Sequence, residues 1–98
     1  MEPGGFRVEV RGEGRVGLFG ELDAASVPAL SGALEGVDGD LIELDCSELT
    51  FVDSSGLRSM VSAAAGRRVR ILAPHPNVLR TMKIAGLDKI HNVEIVPI

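Results

Sequence analysis

The sequence predicts a single α/β domain over residues 1–98, with a mixed sheet of four to five strands and about three to four packed helices. Segments with strand-like patterns alternate with segments of helical periodicity, and helices that cross between strands give parallel strand pairs. A short Gly-rich turn joins the first two strand-like segments, which predicts an N-terminal antiparallel hairpin. A chain of 98 residues that is 45% hydrophobic is sufficient for one core of this kind.

The hairpin is predicted from the first 19 residues. Residues 6–10 alternate apolar and polar side chains, and glycines in the turn at 12–14 lead to a second strand at 16–19. The polar, Gly-rich start leaves open whether residues 1–5 are ordered and how completely the first edge strand forms.

The first helix is expected to begin near Ser26, a candidate N-terminal cap, with Pro28 in its first turn, where a missing N–H costs little. Its apolar face comprises Val27, Leu30, Ala33 and Leu34. Glycines then end the helix, and residues 41–44 follow as a largely buried strand.

The second helix has the clearest pattern in the chain. Ser54 or Ser55 could cap its start, and Gly66 could end it. Its predicted apolar face has the spacing i, i+3, i+4 and i+7 and comprises Leu57, Met60, Val61 and Ala64.

A strand, a third helix and a last strand complete the prediction. Residues 68–72 and 93–96 are strand-like, and the helix between them begins at Pro76 or Asn77 and stops at Gly86. The apolar side of that helix comprises Leu79, Met82 and Ala85.

The net charge of −4 conceals an uneven distribution. No Lys or Arg occurs between Arg15 and Arg58, while the chain after Arg58 is basic. Ordinary solvated faces and steering of a charged partner both fit this pattern. The acidic residues of the interval are Glu21, Asp23, Glu35, Asp38, Asp40, Glu43, Asp45, Glu48 and Asp53.

The composition also limits the compartment and the partners. Cys46 is the only cysteine, which excludes an intrachain disulfide and fits a reducing compartment. Two roles are compatible with Cys46: a buried, inert thiol and a redox sensor. The chain shows no signal peptide and no membrane span, so we expect a cytoplasmic protein that does not act at a membrane.

The segment most informative about function spans residues 49–57, where Asp53, Ser54, Ser55 and Gly56 occupy the predicted start of the second helix. A helix start leaves backbone N–H groups unpaired and carries a partial positive charge, so it favours a phosphate or another anion. A serine there can accept a phosphoryl group without unfolding the domain, and Gly56 allows another backbone to approach closely. On these residue types alone, a simple helix cap is the more common explanation.

The same segment closely resembles the phosphorylation loop of bacterial anti-sigma-factor antagonists, the single-domain members of the STAS superfamily. The resemblance extends to residues 20–23, 27–30 and 85–88, in the order of the family and over nearly the whole chain. Together these matches are far more specific than the tetrapeptide alone. Arg58 is a departure, because many members of the family have glycine there.

The resemblance implies a function in partner switching. The unmodified chain would bind an anti-sigma factor that is a serine kinase, and would thereby free the sigma factor. Phosphorylation of Ser54, with Ser55 as the second candidate, would end that binding, and a serine phosphatase would reset the chain. The surface for the partner would consist of Glu21, Asp23, Asp53, Ser54, Ser55, Gly56 and Arg58.

Under this interpretation the kinase supplies ATP and magnesium, so the chain is a phosphoryl acceptor, not an enzyme, and needs no cofactor or metal. Asp53 either orients the Ser54 hydroxyl or serves as a hydrogen-bond acceptor in the loop. Arg58 lies four residues after Ser54 and either pairs with its phosphate or is simply exposed.

Three alternatives compete with this interpretation. A STAS interaction subunit that is not phosphorylated, for example of a lipid-transport ATPase or a stress-signalling complex, would share the fold. A serine hydrolase is disfavoured, because the chain lacks a Gly-x-Ser-x-Gly elbow and His75 and His91 belong to no triad pattern. Direct nucleic-acid binding is disfavoured by the net acidic charge and the absence of Tyr and Trp; its candidates are Arg67, Arg68 and Arg70.

Overall fold

The predicted alternation of strands and helices is confirmed in the computed structural model, which describes residues 5–63 and 65–97. The elements in chain order are β1 (Phe6–Gly12), β2 (Arg15–Leu22), α1 (Val27–Glu35), β3 (Leu41–Val52), α2 (Ser54–Ala63), β4 (Arg68–Leu72), α3 (Pro76–Ile84), a short 3₁₀ helix (Leu87–Lys89) and β5 (Val93–Val96). None of the described helices is long and apolar enough to cross a membrane.

The five strands form one mixed sheet, and their order in space follows their order in the chain. β1 and β2 form the predicted antiparallel hairpin, whereas β2, β3, β4 and β5 are mutually parallel. Each parallel step crosses through one α-helix, and the last step also contains the 3₁₀ helix. Right-handed crossovers that progress in one direction place all these helices on the same face. The opposite face of the sheet is therefore open.

The core lies between the helices and the sheet, because alternate strand residues point toward the helices. Leu18 and Leu44 are fully buried in the central strands, and Met60 and Met82 cover them from α2 and α3. Cys46 belongs to this core, and burial raises the pKa of its thiol to about 12. The buried, inert alternative for Cys46 is therefore the one that the structure favours.

Charged side chains on the open face connect neighbouring strands. Arg70 on β4 lies between two carboxylates, with its nitrogens 3.1 Å from Glu43 on β3 and 3.0 Å from Glu94 on β5. Arg15 on β2 reaches the same Glu43 at 3.0 Å. The ion pairs of Arg70, one of the three arginines considered for nucleic-acid binding, make it part of the sheet surface.

A second group of ion pairs holds the hairpin against β3. Arg11 lies 2.7 Å from Asp45 and 3.0 Å from Glu9, and its guanidinium crosses the space above Gly17. Partial burial by itself would raise the pKa of the Asp45 carboxyl, but hydrogen bonds from Arg11 and from the Ser47 N–H outweigh it and lower that pKa. Part of the acidic stretch is thus neutralised on the open face.

The predicted boundaries need two corrections. The strand expected at 41–44 continues to Val52, so most of the loop expected before Asp53 is strand. Its register with β2 shifts twice. These shifts interrupt the alternation of apolar and polar residues, so the sequence does not predict the full length of the strand. Ala85, expected on the apolar side of α3, is exposed because the helix ends at Ile84.

The glycines expected to end helices and the start of the first edge strand can also be compared with the structure. Both Gly66 and Gly86 lie in turns after helices, with φ of +75° and +82°, as expected for residues that stop a helix. Ala64 and residues 1–4 lie outside the described residues. The carbonyl of Gly5 accepts a hydrogen bond from the Glu21 N–H at 3.0 Å, so the edge strand forms from that point onward.

Candidate functional site

The candidate site lies at the edge of the sheet where β2 and β3 end. Leu22 and Val52 are paired across these parallel strands, and the Asp53 N–H donates to the Leu22 carbonyl at 3.2 Å. The chain therefore leaves both strands at the same edge, with Asp23 after one and Asp53 after the other. This topology brings together the two halves of the predicted surface, which are 30 residues apart in sequence.

Asp53 is the N-terminal cap of α2. Its Oδ1 accepts a hydrogen bond from the Gly56 N–H at 2.9 Å, and its carbonyl accepts from the Leu57 N–H at 2.9 Å. The prediction that Ser54 or Ser55 caps this helix is therefore wrong, because the aspartate one residue earlier occupies that position. Of the two roles left open for Asp53, the structure shows the hydrogen-bond acceptor.

Capping by Asp53 leaves the Ser54 side chain unused by the fold. Ser54 is the first residue of α2 and is exposed, and its hydroxyl has no hydrogen-bond partner among the described residues. Ser55 is half-buried and lines a shallow groove between α1 and α2, together with Ala24 and Arg58. A bulky partner therefore reaches Ser54 more easily than Ser55.

Gly56 permits the close approach of α2 to the end of β2. A Cβ on Gly56 would lie 2.6 Å from the Leu22 carbonyl oxygen and 2.8 Å from Cγ2 of Val52. Both distances are shorter than side-chain contacts allow, and one of the two neighbours is backbone. The predicted role of Gly56 in backbone approach is confirmed.

The turn after β2 is held by Asp23, whose Oδ1 lies 3.1 Å from the Ser26 N–H and 2.9 Å from the Ser26 hydroxyl. The same hydroxyl lies 3.0 Å from the Glu21 carbonyl. Ser26 precedes α1 but gives it no side-chain cap, so that prediction is wrong. Its hydroxyl instead faces back toward β2 because two acceptors are available there. Asp23 is thereby fixed at the edge of the site.

Charge at this edge is predominantly negative. Among the described residues, Glu21, Asp23 and Asp53 take part in no ion pair. Arg58 is exposed and likewise has no ion-pair partner in that part of the chain, which leaves its guanidinium available to a new anion. The described residues contain no group of three or more potential metal ligands.

Sequence reasoning missed Phe51 at this site. The residue lies one position before the end of β3, is paired in register with Glu21, and remains 46% exposed. Within an apolar segment leading into a helix, an aromatic residue gives no sign that it faces solvent. Only the irregular register of β3 reveals this orientation.

The family of the chain follows from a family-model match over residues 7–97, to the model described as Mlab, STAS domain. The match covers most of the sequence, and the chain belongs to the STAS domain family. A search of curated protein sequences finds no match.

Solved structures of anti-sigma factor antagonists share the fold. One from Mycobacterium paratuberculosis has a TM-score of 0.78 and 25% sequence identity, covering 96% of this chain and 86% of the other. The antagonist SpoIIAA in its unphosphorylated form has a TM-score of 0.66 at 24% identity, covering 94% and 88%. The Bacillus cell fate determinant SpoIIAA in its phosphorylated form has a TM-score of 0.59 at 24% identity, covering 94% and 91%. The STAS family match and the similar solved structures thus agree with the resemblance found in the sequence.

Proposed function

We propose that this chain is a cytoplasmic anti-sigma factor antagonist that is switched by phosphorylation of Ser54. The unphosphorylated chain binds an anti-sigma factor serine kinase and frees the sigma factor. The kinase then transfers the γ-phosphoryl group of its ATP to the Ser54 oxygen, and the hydroxyl proton leaves to a base or to solvent. A serine phosphatase restores the binding form, so the chain is a substrate and ligand, not an enzyme.

The observation that carries this proposal is that Asp53 and Ser54 have separate roles at the start of α2. Asp53 supplies the helix cap, and the neighbouring hydroxyl of Ser54 is exposed and free of hydrogen bonds within the described chain. A phosphate on Ser54 therefore replaces no contact of the fold. The unpaired N–H groups of the first helical turn stabilise it by about 0.3–1 kcal/mol.

Release is electrostatic. The phosphate adds about −1.5 to −2 charges next to Asp53, at an edge where Glu21 and Asp23 also have no ion pair among the described residues. One unrelieved like-charge pair at about 4 Å costs on the order of 4 kcal/mol at an effective dielectric constant of 20, about a thousandfold in affinity. The helix start and Arg58 offset only part of this cost, because an exposed i,i+4 ion pair contributes about 0.5 kcal/mol.

The first test is phosphorylation by purified anti-sigma kinases of the host with ATP and magnesium, followed by intact and fragment mass spectrometry. We expect one phosphoryl group, located on Ser54. Ser54→Ala should bind the kinase and accept no phosphate, whereas Ser54→Asp should bind much more weakly. Ser55→Ala removes the neighbouring hydroxyl and should still accept one phosphoryl group, on Ser54. Phosphate on Ser55, or equal binding of Ser54→Ala and Ser54→Asp, would contradict the proposed switch.

A second candidate is a STAS interaction subunit that works without phosphorylation, such as one in a lipid-transport ATPase or a stress-signalling complex. The observation that favours it is the description of the matching family model, which names Mlab. Affinity purification of the parent and of Ser54→Asp separates the two candidates. A partner ATPase retained equally by both proteins would support the second candidate.

A further inference from the structure

Three large hydrophobic side chains are exposed in the described part of the chain: Val10, Phe51 and Ile84, at 56%, 46% and 81%. Val10 is paired with Val16 near the hairpin turn, at the opposite end of the sheet from the candidate site. Ile84 is the last residue of α3, eight positions along the helix from Pro76. Phe51 differs from both because it lies at the edge from which Ser54 projects.

The backbone around Phe51 is held in place from two sides. The hydroxyl of Thr50 donates to the Gly20 carbonyl at 3.1 Å, and the side-chain amide of Asn77 donates to the Thr50 carbonyl at 3.2 Å. These bonds tie the end of β3 to β2 and to the start of α3. Phe51 is therefore presented by a fixed strand, and little conformational freedom is lost when a partner covers it.

The surroundings of Phe51 carry uncompensated negative charge. Glu21 is paired with Phe51 in register, so both side chains project on the same side of the sheet. Glu48, also on β3, is exposed, and neither glutamate has an ion pair among the described residues. By contrast, Glu43 and Asp45 on the same strand are paired with arginines. The exposed ring thus has Glu21 beside it in the sheet and Glu48 three residues earlier on its own strand.

We propose that Phe51 is the apolar anchor through which this chain docks on its anti-sigma kinase, in an apolar pocket of the kinase bordered by Lys or Arg. This inference rests on the proposed function and adds a contact outside the phosphorylation loop. Aromatic residues held in a desolvated pocket are the usual hot spots of protein interfaces, and charge at the border mainly sets the association rate. Phe51 supplies affinity, while Glu21 and Glu48 attract the cationic border.

The experiment measures binding of the unphosphorylated chain to the purified anti-sigma kinase that phosphorylates it. We expect Phe51→Ala and Phe51→Thr to weaken binding about 10- to 100-fold. Phe51→Thr keeps a residue suited to a strand, so circular dichroism should show the parent fold. Ile84→Ala, which removes a still more exposed apolar side chain on another element, should bind within about twofold of the parent. Glu21→Gln should slow association several-fold at low salt and less at high salt.

The outcomes separate this inference from the proposed function. If the parent is bound and phosphorylated but both Phe51 variants bind as tightly as it does, the anchor is refuted and the function stands. If no host kinase binds or phosphorylates the parent, the function fails and the anchor fails with it. Sedimentation of the chain alone tests whether a second copy of the chain occupies this surface instead. Self-association that Phe51→Thr abolishes would assign the ring to a second copy of the chain and overturn the proposal.

Discussion

Replacement of Gly56 by alanine tests how closely α2 approaches the end of β2. The new methyl group would lie within 3.0 Å of three atoms: the Leu22 carbonyl oxygen, the Leu22 Cγ and the Val52 Cγ2. The carbonyl belongs to the last residue of β2, directly before Asp23, so it cannot move without disturbing the site. Overpacking of this kind costs about 1–3 kcal/mol, and the better helix propensity of alanine returns at most about 1 kcal/mol.

The net expectation for Gly56→Ala is a loss of about 1.5 kcal/mol in the free energy of unfolding, which lowers the Tm by about 6–12 °C for a domain of this size. Thermal unfolding followed by circular dichroism measures this shift. Gly32→Ala is the matched control, because Gly32 lies in α1 with no atom within 4 Å of the added Cβ. It should be unchanged or more stable by up to about 1 kcal/mol. A Gly56→Ala protein as stable as the parent would refute the close approach.

Two further substitutions test the cap and the buried thiol. Asp53→Ala should cost about 1 kcal/mol in unfolding free energy. Asp53→Asn keeps the acceptor for the Gly56 N–H and should cost much less. Equal losses of the two variants in chemical denaturation would show that the charge of Asp53 matters and its capping does not. Cys46, fully buried with a pKa near 12, should resist a thiol reagent at pH 8 in the folded protein and react once guanidinium unfolds it. Rapid reaction of the folded protein would restore the redox-sensor alternative.

The order of elements could be predicted because each pattern had a single physical interpretation. The spacing of Leu57 and Met60 defined the buried face of α2, and both residues are in the core. Gly56 was correctly predicted to allow a close backbone approach, since no other residue type removes the side chain. The hairpin followed from its Gly-rich turn, where Gly12 and Gly14 have φ of +86° and +77°.

The details that could not be predicted are those in which several residues compete for one partner. Asp53, Ser54 and Ser55 are all good helix caps, and only the folded chain shows that the aspartate takes the Gly56 N–H. Ser26 also has the composition of a cap, but its hydroxyl lies near the Glu21 carbonyl instead. The exposure of Phe51 depends on register shifts between β2 and β3, which no local periodicity encodes.

Two interpretations were open for the acidic stretch between Arg15 and Arg58: solvated charge and steering of a partner. The sheet topology separates the acidic residues of this stretch into two groups. Where β3 crosses the middle of the open face, Glu43 is neutralised by arginines from the two neighbouring strands. Asp45 is neutralised by Arg11, which reaches across β2 from β1. At the edge where the parallel strands end, Glu21 has no such neighbour among the described residues, because the chain turns away into helices there. The same run of acids therefore stabilises the sheet at its centre and leaves net negative charge around the exposed hydroxyl, so a phosphate added there increases a charge imbalance that the fold already contains.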